Sequence, residues 1–226
     1  MALLELWLSY YRRHFDDLKI YCFNTKEKYI PRLNRLKKKY KMEYEFLEEF
    51  KGDKIDGTPS VFLGFVREKQ IELLREYDWV LVCNLDEIIV PKRGMFEELM
   101  RRRLEEWVAI PSEGYEVIQT KREKPIDYNK SYFKQRKYWI KNNNYNKILL
   151  SRIPILWSAG LHKIDTMTDE ESKNIKNTPL YLVHLKHADL EAKRDFGPYR
   201  ASLDPNIVEH WGKYKKPIPK QIRKAL

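Results

Sequence analysis

The chain has 226 residues, of which 42% are hydrophobic and 13% aromatic, with 44 Lys and Arg against 33 Asp and Glu. That length suits one domain, and the apolar content excludes a disordered chain. The formal net charge of +11 directs attention to anionic partners: nucleic acid, a phosphate-bearing substrate or an acidic membrane surface.

No stretch approaches the length of a transmembrane helix, and the start lacks a basic n-region. Cys22 and Cys83 both lie in apolar runs and read as buried free thiols, not as a disulfide framework. The expected location is cytoplasmic, with peripheral attachment to an anionic membrane surface as the variant.

In chain order, Ala2 to about His14 predicts a helix, with Leu3, Leu4, Trp7, Leu8 and Tyr11 on one stripe. Leu18 to Phe23 predicts a strand rich in β formers. Asn24-Thr25 reads as a turn and cap, leading into a helix from about Lys28 to Tyr40. Glu43 to Leu47 predicts a second strand, and Lys51 to Pro59 a loop. Ser60 caps a helix that runs to about Tyr77. This alternation is that of an α/β sheet.

Trp79 to Cys83 then forms an apolar run of strand length that stops at the polar cluster Asn84-Leu85-Asp86-Glu87. A strand buried on both faces belongs to a parallel sheet covered by helices, and ligands bind beyond the carboxyl ends of such strands. Carboxylates placed there are candidate ligands for a hard divalent cation.

Met95 to Trp107 predicts a helix, with Arg101-Arg102-Arg103 on its solvated side. Val108 to Pro111 and Tyr115 to Thr120 predict two strands. Lys121 to Asn144 is basic and aromatic, and reads as a long excursion that either covers a sheet edge or forms a flap over an acceptor. Lys147 to Ser151 and Pro179 to His187 predict two further strands. Asp165 to Asn177 predicts a charged loop, Leu190 to Phe196 the start of a helix, and the basic chain from about residue 205 a solvated tail.

Asn84-Leu85-Asp86-Glu87-Ile88-Ile89-Val90-Pro91 resembles the metal-binding Asp-X-Asp element of nucleotide-sugar glycosyltransferases with the GT-A fold, in the family-2-like branch where it is extended by Glu, two apolar positions and Pro. Asn84 stands where the first Asp is usual. Glu5-Leu6-Trp7-Leu8-Ser9-Tyr10-Tyr11 followed by Leu18-Lys19-Ile20-Tyr21 looks like that branch's first helix and second strand. Gln135-Arg136, Lys147 and Gly160-Leu161-His162 come in the order of its later motifs, and Leu180 to Lys186 looks like its late His-containing strand.

The resemblance implies a single GT-A (Rossmann-like) α/β domain over residues 1–226. It implies a mixed, mostly parallel sheet flanked by helices, without the strand that precedes the first helix in that family. It implies inverting transfer of a sugar from a nucleotide diphosphate sugar to a hydroxyl on a glycan or lipid-linked acceptor, with Mn²⁺ or Mg²⁺ held by Asp86, Asn84 and His184. Glu87 joins Asp86 at the catalytic centre. Asn84, Gln135, Arg136, Lys147, Gly160, His162 and Lys186 are the expected substrate-binding residues. Glu113, Glu116 and Asp165 are the candidate bases, since the family's base falls in no motif recognisable here.

Two rivals stand beside this reading. One is a non-catalytic domain of the same fold, suggested by Asn84 and the missing strand. The other is a nucleic-acid module using the basic aromatic middle, which a steep salt dependence of binding would reveal. A two-metal phosphodiesterase is weaker, because it needs a second carboxylate cluster.

Overall fold

The computed structural model describes residues 2–23, 27–47, 54–55, 58–94, 96–97, 108–120, 122–127, 130, 132–158, 161, 164, 178–185, 188, 216–219 and 222. The chain is mixed α/β, with one small parallel sheet and one larger, mostly antiparallel sheet.

Helix α1 (Ala2–Tyr11) buries Leu4, Trp7, Leu8, Tyr10 and Tyr11, close to the stripe that its periodicity predicts. Strand β1 (Lys19–Phe23) pairs in parallel with β2 (Glu43–Leu47), Lys19 opposite Glu43. Parallel strands need a crossover, and α2 (Ile30–Tyr40) supplies it. Pro31 sits in its first turn, where a missing N–H costs nothing, and Leu33 and Leu36 face the core. Lys41, in the left-handed region at φ 47°, ends the helix by donating its N–H to the Lys37 carbonyl.

Strands β3 (Lys54–Ile55) and β4 (Thr58–Pro59) form a minimal hairpin inside the stretch read as a loop. Helix α3 (Ser60–Leu73) follows, shorter than expected because turns replace it from Leu74. The larger sheet holds β5 (Val80–Leu81), β6 (Glu87–Pro91), β7 (Ala109–Ile118), β8 (Tyr138–Lys141), β9 (Lys147–Ser151), β10 (Leu180–His184) and β11 (Lys216–Pro217). Its path runs β11-β8-β7-β10-β6, and β9 lies against β7 and carries β5.

The expectation of a mostly parallel sheet is corrected here. In the larger sheet β7 and β10 are parallel, whereas β6–β10, β7–β8, β7–β9, β5–β9 and β8–β11 are antiparallel. The physical reason lies in the connections. β8 and β9 return along β7 without an α-helical crossover among the described residues, which suits antiparallel pairing. The two strands expected at Val108–Pro111 and Tyr115–Thr120 are one continuous β7.

β8 and β9 share one side of β7. Tyr115–Ile118 pairs with β8 and Ala109–Ser112 with β9, so Asn142–Asn146 is an excursion between them. Gly114 makes that excursion possible. A Cβ there would overlap the Tyr145 backbone and lie 2.6 Å from the Asn142 oxygen. The Gly114 N–H donates to Asn146 Oδ1 at 2.9 Å, and its carbonyl accepts from Asn142 at 3.0 Å.

Tyr132, Phe133, Trp139 and Ile140 of the basic aromatic middle are buried, and Trp139 and Ile140 belong to β8 of the larger sheet. The tail read as solvated is docked where it is described: Lys216–Pro217 pairs with β8, and Ile218 and Ile222 are buried. Two prolines are tolerated there because an edge strand can spare donors. Of the helix expected at Met95–Trp107, Phe96, which is buried, and Glu97 are helical. Its other residues from Met95 to Trp107, and the segments 165–177 and 190–196, lie outside the described residues.

Candidate functional site

Asn84-Leu85-Asp86-Glu87 is a tight turn. The Glu87 N–H donates to the Asn84 carbonyl at 3.1 Å, and the Asn84 N–H donates back to Glu87 Oε2 at 3.1 Å. Glu87 therefore closes the turn with its own carboxylate, while Asn84 and Leu85 stay exposed. The other Glu87 oxygen accepts from Lys147 Nζ at 2.6 Å, and both side chains are 1% exposed. A charged pair so deep is costly to break from either side.

Strand β10 runs antiparallel to β6 and brings His184 opposite Glu87, while on its other side His184 faces Glu116 of β7. The imidazole bridges two carboxylates from these neighbours. Nδ1 lies 2.9 and 3.0 Å from the two Glu116 oxygens, and Nε2 lies 3.5 Å from Asp86 Oδ2. The Leu185 N–H donates to the Asp86 carbonyl at 2.8 Å, fixing the turn against β10. Burial alone would lower the His184 pKa. The Glu116 charge and the hydrogen bonds to Asp86 and Glu116 outweigh it and raise the pKa to about 9.

Tyr145, on the excursion that Gly114 permits, stacks on the His184 ring at 3.9 Å and 26°, with Lys147 Nζ 5.8 Å from its own ring centre. Asp86, Glu87 and Glu116 thus stand against one lysine and one histidine. Counted over these five described groups alone, three carboxylates against two cations leave a formal charge of −1 when His184 is protonated.

Helix α1 supports the site from behind. Tyr11 Oη accepts from the Ile89 N–H at 2.8 Å and donates to the Glu87 carbonyl at 3.3 Å, and Tyr10 Oη donates to the Ile89 carbonyl at 2.9 Å. Two tyrosine hydroxyls thereby serve backbone groups of β6, which pairs with a strand on one side only among the described residues. Burial raises both phenols well above their ordinary range, so they stay protonated. Burial, reinforced by the Glu87 charge, pushes the Cys83 thiol up to about 12, which keeps it an inert apolar group.

Of the residues singled out from sequence, the structure brings together Asp86, Glu87, Glu116, Lys147 and His184, with Asn84 in the same turn. Glu113 is elsewhere: side chains alternate along β7, so Glu113 points away from Glu116 and is held by Lys92 at 2.7 Å and Lys141 at 3.0 Å. Burial raises its pKa, but the two lysines prevail and hold it below the usual value.

Gln135 clasps both backbone groups of Asp127, at 2.8 and 2.9 Å. Arg136 is buried and donates to the carbonyls of Lys124, Gln135 and Ala188. Both brace the excursion that precedes β8. Gly160, His162, Asp165 and Lys186 lie outside the described residues. Tyr10, Tyr11 and Tyr145 were missed as site residues, although Tyr10 and Tyr11 stand in the aromatic stripe of the first helix.

Asp86 and His184, with Asn84 in the same turn, are the described side chains that could contribute ligands to a divalent cation. Among the described residues no group of three or more His, Cys, Asp and Glu is arranged to hold a metal. No helix among them is long and apolar enough to cross a membrane. No protein-family model matches the chain, and no curated protein matches it.

Proposed function

We propose that the chain is a metal-dependent glycosyltransferase domain of GT-A type, which moves a sugar from a nucleotide diphosphate sugar to a hydroxyl acceptor. The carrying observation is the meeting of Asp86 and His184 from distant parts of the chain, with Glu116 behind the imidazole. A carboxylate on the far nitrogen of a ligating histidine fixes its tautomer and orientation. Here it directs Nε2 toward Asp86.

In this reading Asp86 and His184 hold Mn²⁺ or Mg²⁺, with Asn84 beside them. The cation supplies charge neutralisation on the diphosphate leaving group. Glu87 and Lys147 keep the turn rigid, and Tyr145 shields the imidazole from water on one face. Glu116, with both oxygens on His184, serves as a positioning residue and not as the acceptor base. Glu113, ion-paired to two lysines and below its ordinary pKa, is a weak proton acceptor.

Isothermal titration of a panel of nucleoside diphosphates and their sugars, with and without Mn²⁺, tests the reading on the wild type and Asp86→Ala. Saturable binding that needs Mn²⁺ and weakens at least about tenfold in Asp86→Ala is expected, a loss of about 1.4 kcal/mol. A folded wild type that binds no member of the panel would refute it.

A further inference from the structure

The larger sheet has a second face. Side chains alternate along a strand, so Glu113, Tyr115 and Val117 of β7 point away from the side that carries Glu116 and His184. The register places their neighbours. Tyr115 stands opposite Lys141 of β8 and Val117 opposite Trp139, while Glu113 stands opposite Tyr181 of β10. Lys216 of β11 stands opposite Trp139, and Lys92 directly follows β6.

Three rings from three strands pack together on this face. Tyr115 stacks on Trp139 at 4.1 Å and 26°, and Tyr181 meets both rings edge-on at 5.3 Å. Trp139 is buried, whereas Tyr115 and Tyr181 remain partly exposed. Lys92 Nζ lies 4.9 Å from the Tyr181 ring centre and donates to Glu113 at 2.7 Å. Lys141 Nζ donates to the other Glu113 oxygen at 3.0 Å. Burial, with the Glu113 charge, pushes the Tyr115 phenol up to about 12 and raises that of Tyr181, so both keep their hydroxyl protons. Three lysines, Lys92, Lys141 and Lys216, against the one carboxylate of Glu113 give these four groups a formal charge of +2.

We propose that this face is a binding site for an acidic glycan, an oligosaccharide whose pyranose rings carry carboxylates. The C–H face of a pyranose is apolar and lies flat on an aromatic ring, and Tyr115 and Tyr181 present such rings on a rigid sheet. The lysines attract the carboxylates, and Glu113 accepts from sugar hydroxyls. A DNA strand brings phosphates for the lysines but no backbone donor for Glu113. An apolar peptide would strip water from the charged groups without replacing it. A glycan meets the rings, the lysines and the carboxylate together. This face lies across the sheet from His184, and the inference does not rest on the glycosyltransferase reading.

The test titrates uronate hexasaccharides of three backbones into the full chain: galacturonate, mannuronate, and glucuronate alternating with N-acetylglucosamine. Tyrosine and histidine ring resonances are followed. Maltohexaose, neutral and of the same length, and a thymidine decanucleotide are the comparisons. At least one uronate should move the Tyr115 and Tyr181 rings in a saturable way and leave the His184 ring in place. Tyr181→Leu should weaken that binding at least about tenfold and Tyr181→Phe much less, since the ring face carries the stacking. Lys141→Gln, at an exposed position, should weaken it about threefold and make its salt dependence shallower. Failure of all three uronates to move these rings in the folded wild type would overturn the proposal. So would full affinity in Tyr181→Leu or Lys141→Gln, or equal or tighter binding of maltohexaose or the decanucleotide at the same rings.

Discussion

Around Asp86, buried polar groups meet partners from several strands, whereas a cavity lined by residues of β1 and β5 is walled largely by apolar side chains. The first region is held by specific charge pairs that a single substitution can unbalance. The second is held by apolar packing around a cavity, which tolerates substitution better.

The sharpest break of this contrast is at Lys147. Lys147→Met leaves Glu87 buried and uncompensated, and should cost roughly 3–5 kcal/mol in urea unfolding. A loss below about 1 kcal/mol would show that water reaches the pair.

His184 comes next. Its folded pKa stands at about 9 against an ordinary 6.5. The stabilisation is therefore complete below about pH 6.5 and is lost as pH rises through about 9. It amounts to about 3 kcal/mol without metal. Denaturation midpoints of the metal-free protein between pH 6 and 10 should show this slope, and His184→Gln should flatten it.

Gly114→Ala forces the Asn142–Asn146 excursion off β7. It should cost about 1–3 kcal/mol and move Tyr145 away from His184, visible as a shift of the His184 ring resonances. Glu113→Gln is the mild contrast. Its lysine partners are partly solvated, and the loss should stay below about 1 kcal/mol with no effect on Mn²⁺ binding.

The first half of the fold was legible because its signals are local. The apolar stripe of Leu4, Trp7, Leu8 and Tyr11 and the run from Lys19 to Phe23 each declare their own element, and the helix between β1 and β2 enforces their parallel pairing. The polarity of the larger sheet was not legible, because no residue type distinguishes β8 running against β7 from β8 running with it. The course of the connecting chain decides that. Nor could spacing show that Val108–Pro111 and Tyr115–Thr120 join through Ser112-Glu113-Gly114 into one strand.

At the site, Asp86 and His184 stand out through the resemblance of Asn84–Pro91 and Leu180–Lys186 to the family's motifs, each placed just beyond or within an apolar run. Tyr145 did not, since its place over the imidazole depends on the Gly114 contact across β7. Tyr10 and Tyr11 read as core residues, which they are. Their hydroxyls serve β6 backbone groups that no sequence pattern marks. Gln135 and Arg136 suggest ligand contacts by their order in the chain; among the described residues Gln135 holds the backbone of Asp127, and Arg136 donates to the carbonyls of Lys124, Gln135 and Ala188.

The most direct test of the Asp86–His184 platform is Mn²⁺ titration followed by paramagnetic broadening of the histidine ring resonances. The chain carries five histidines, so the signals can be assigned by substitution. The expected result is that His184 broadens first, at substoichiometric Mn²⁺, and that Asp86→Asn removes this selectivity. Broadening that starts at another histidine, or that is unchanged by Asp86→Asn, would contradict the placement of the cation and with it the proposed chemistry of the site.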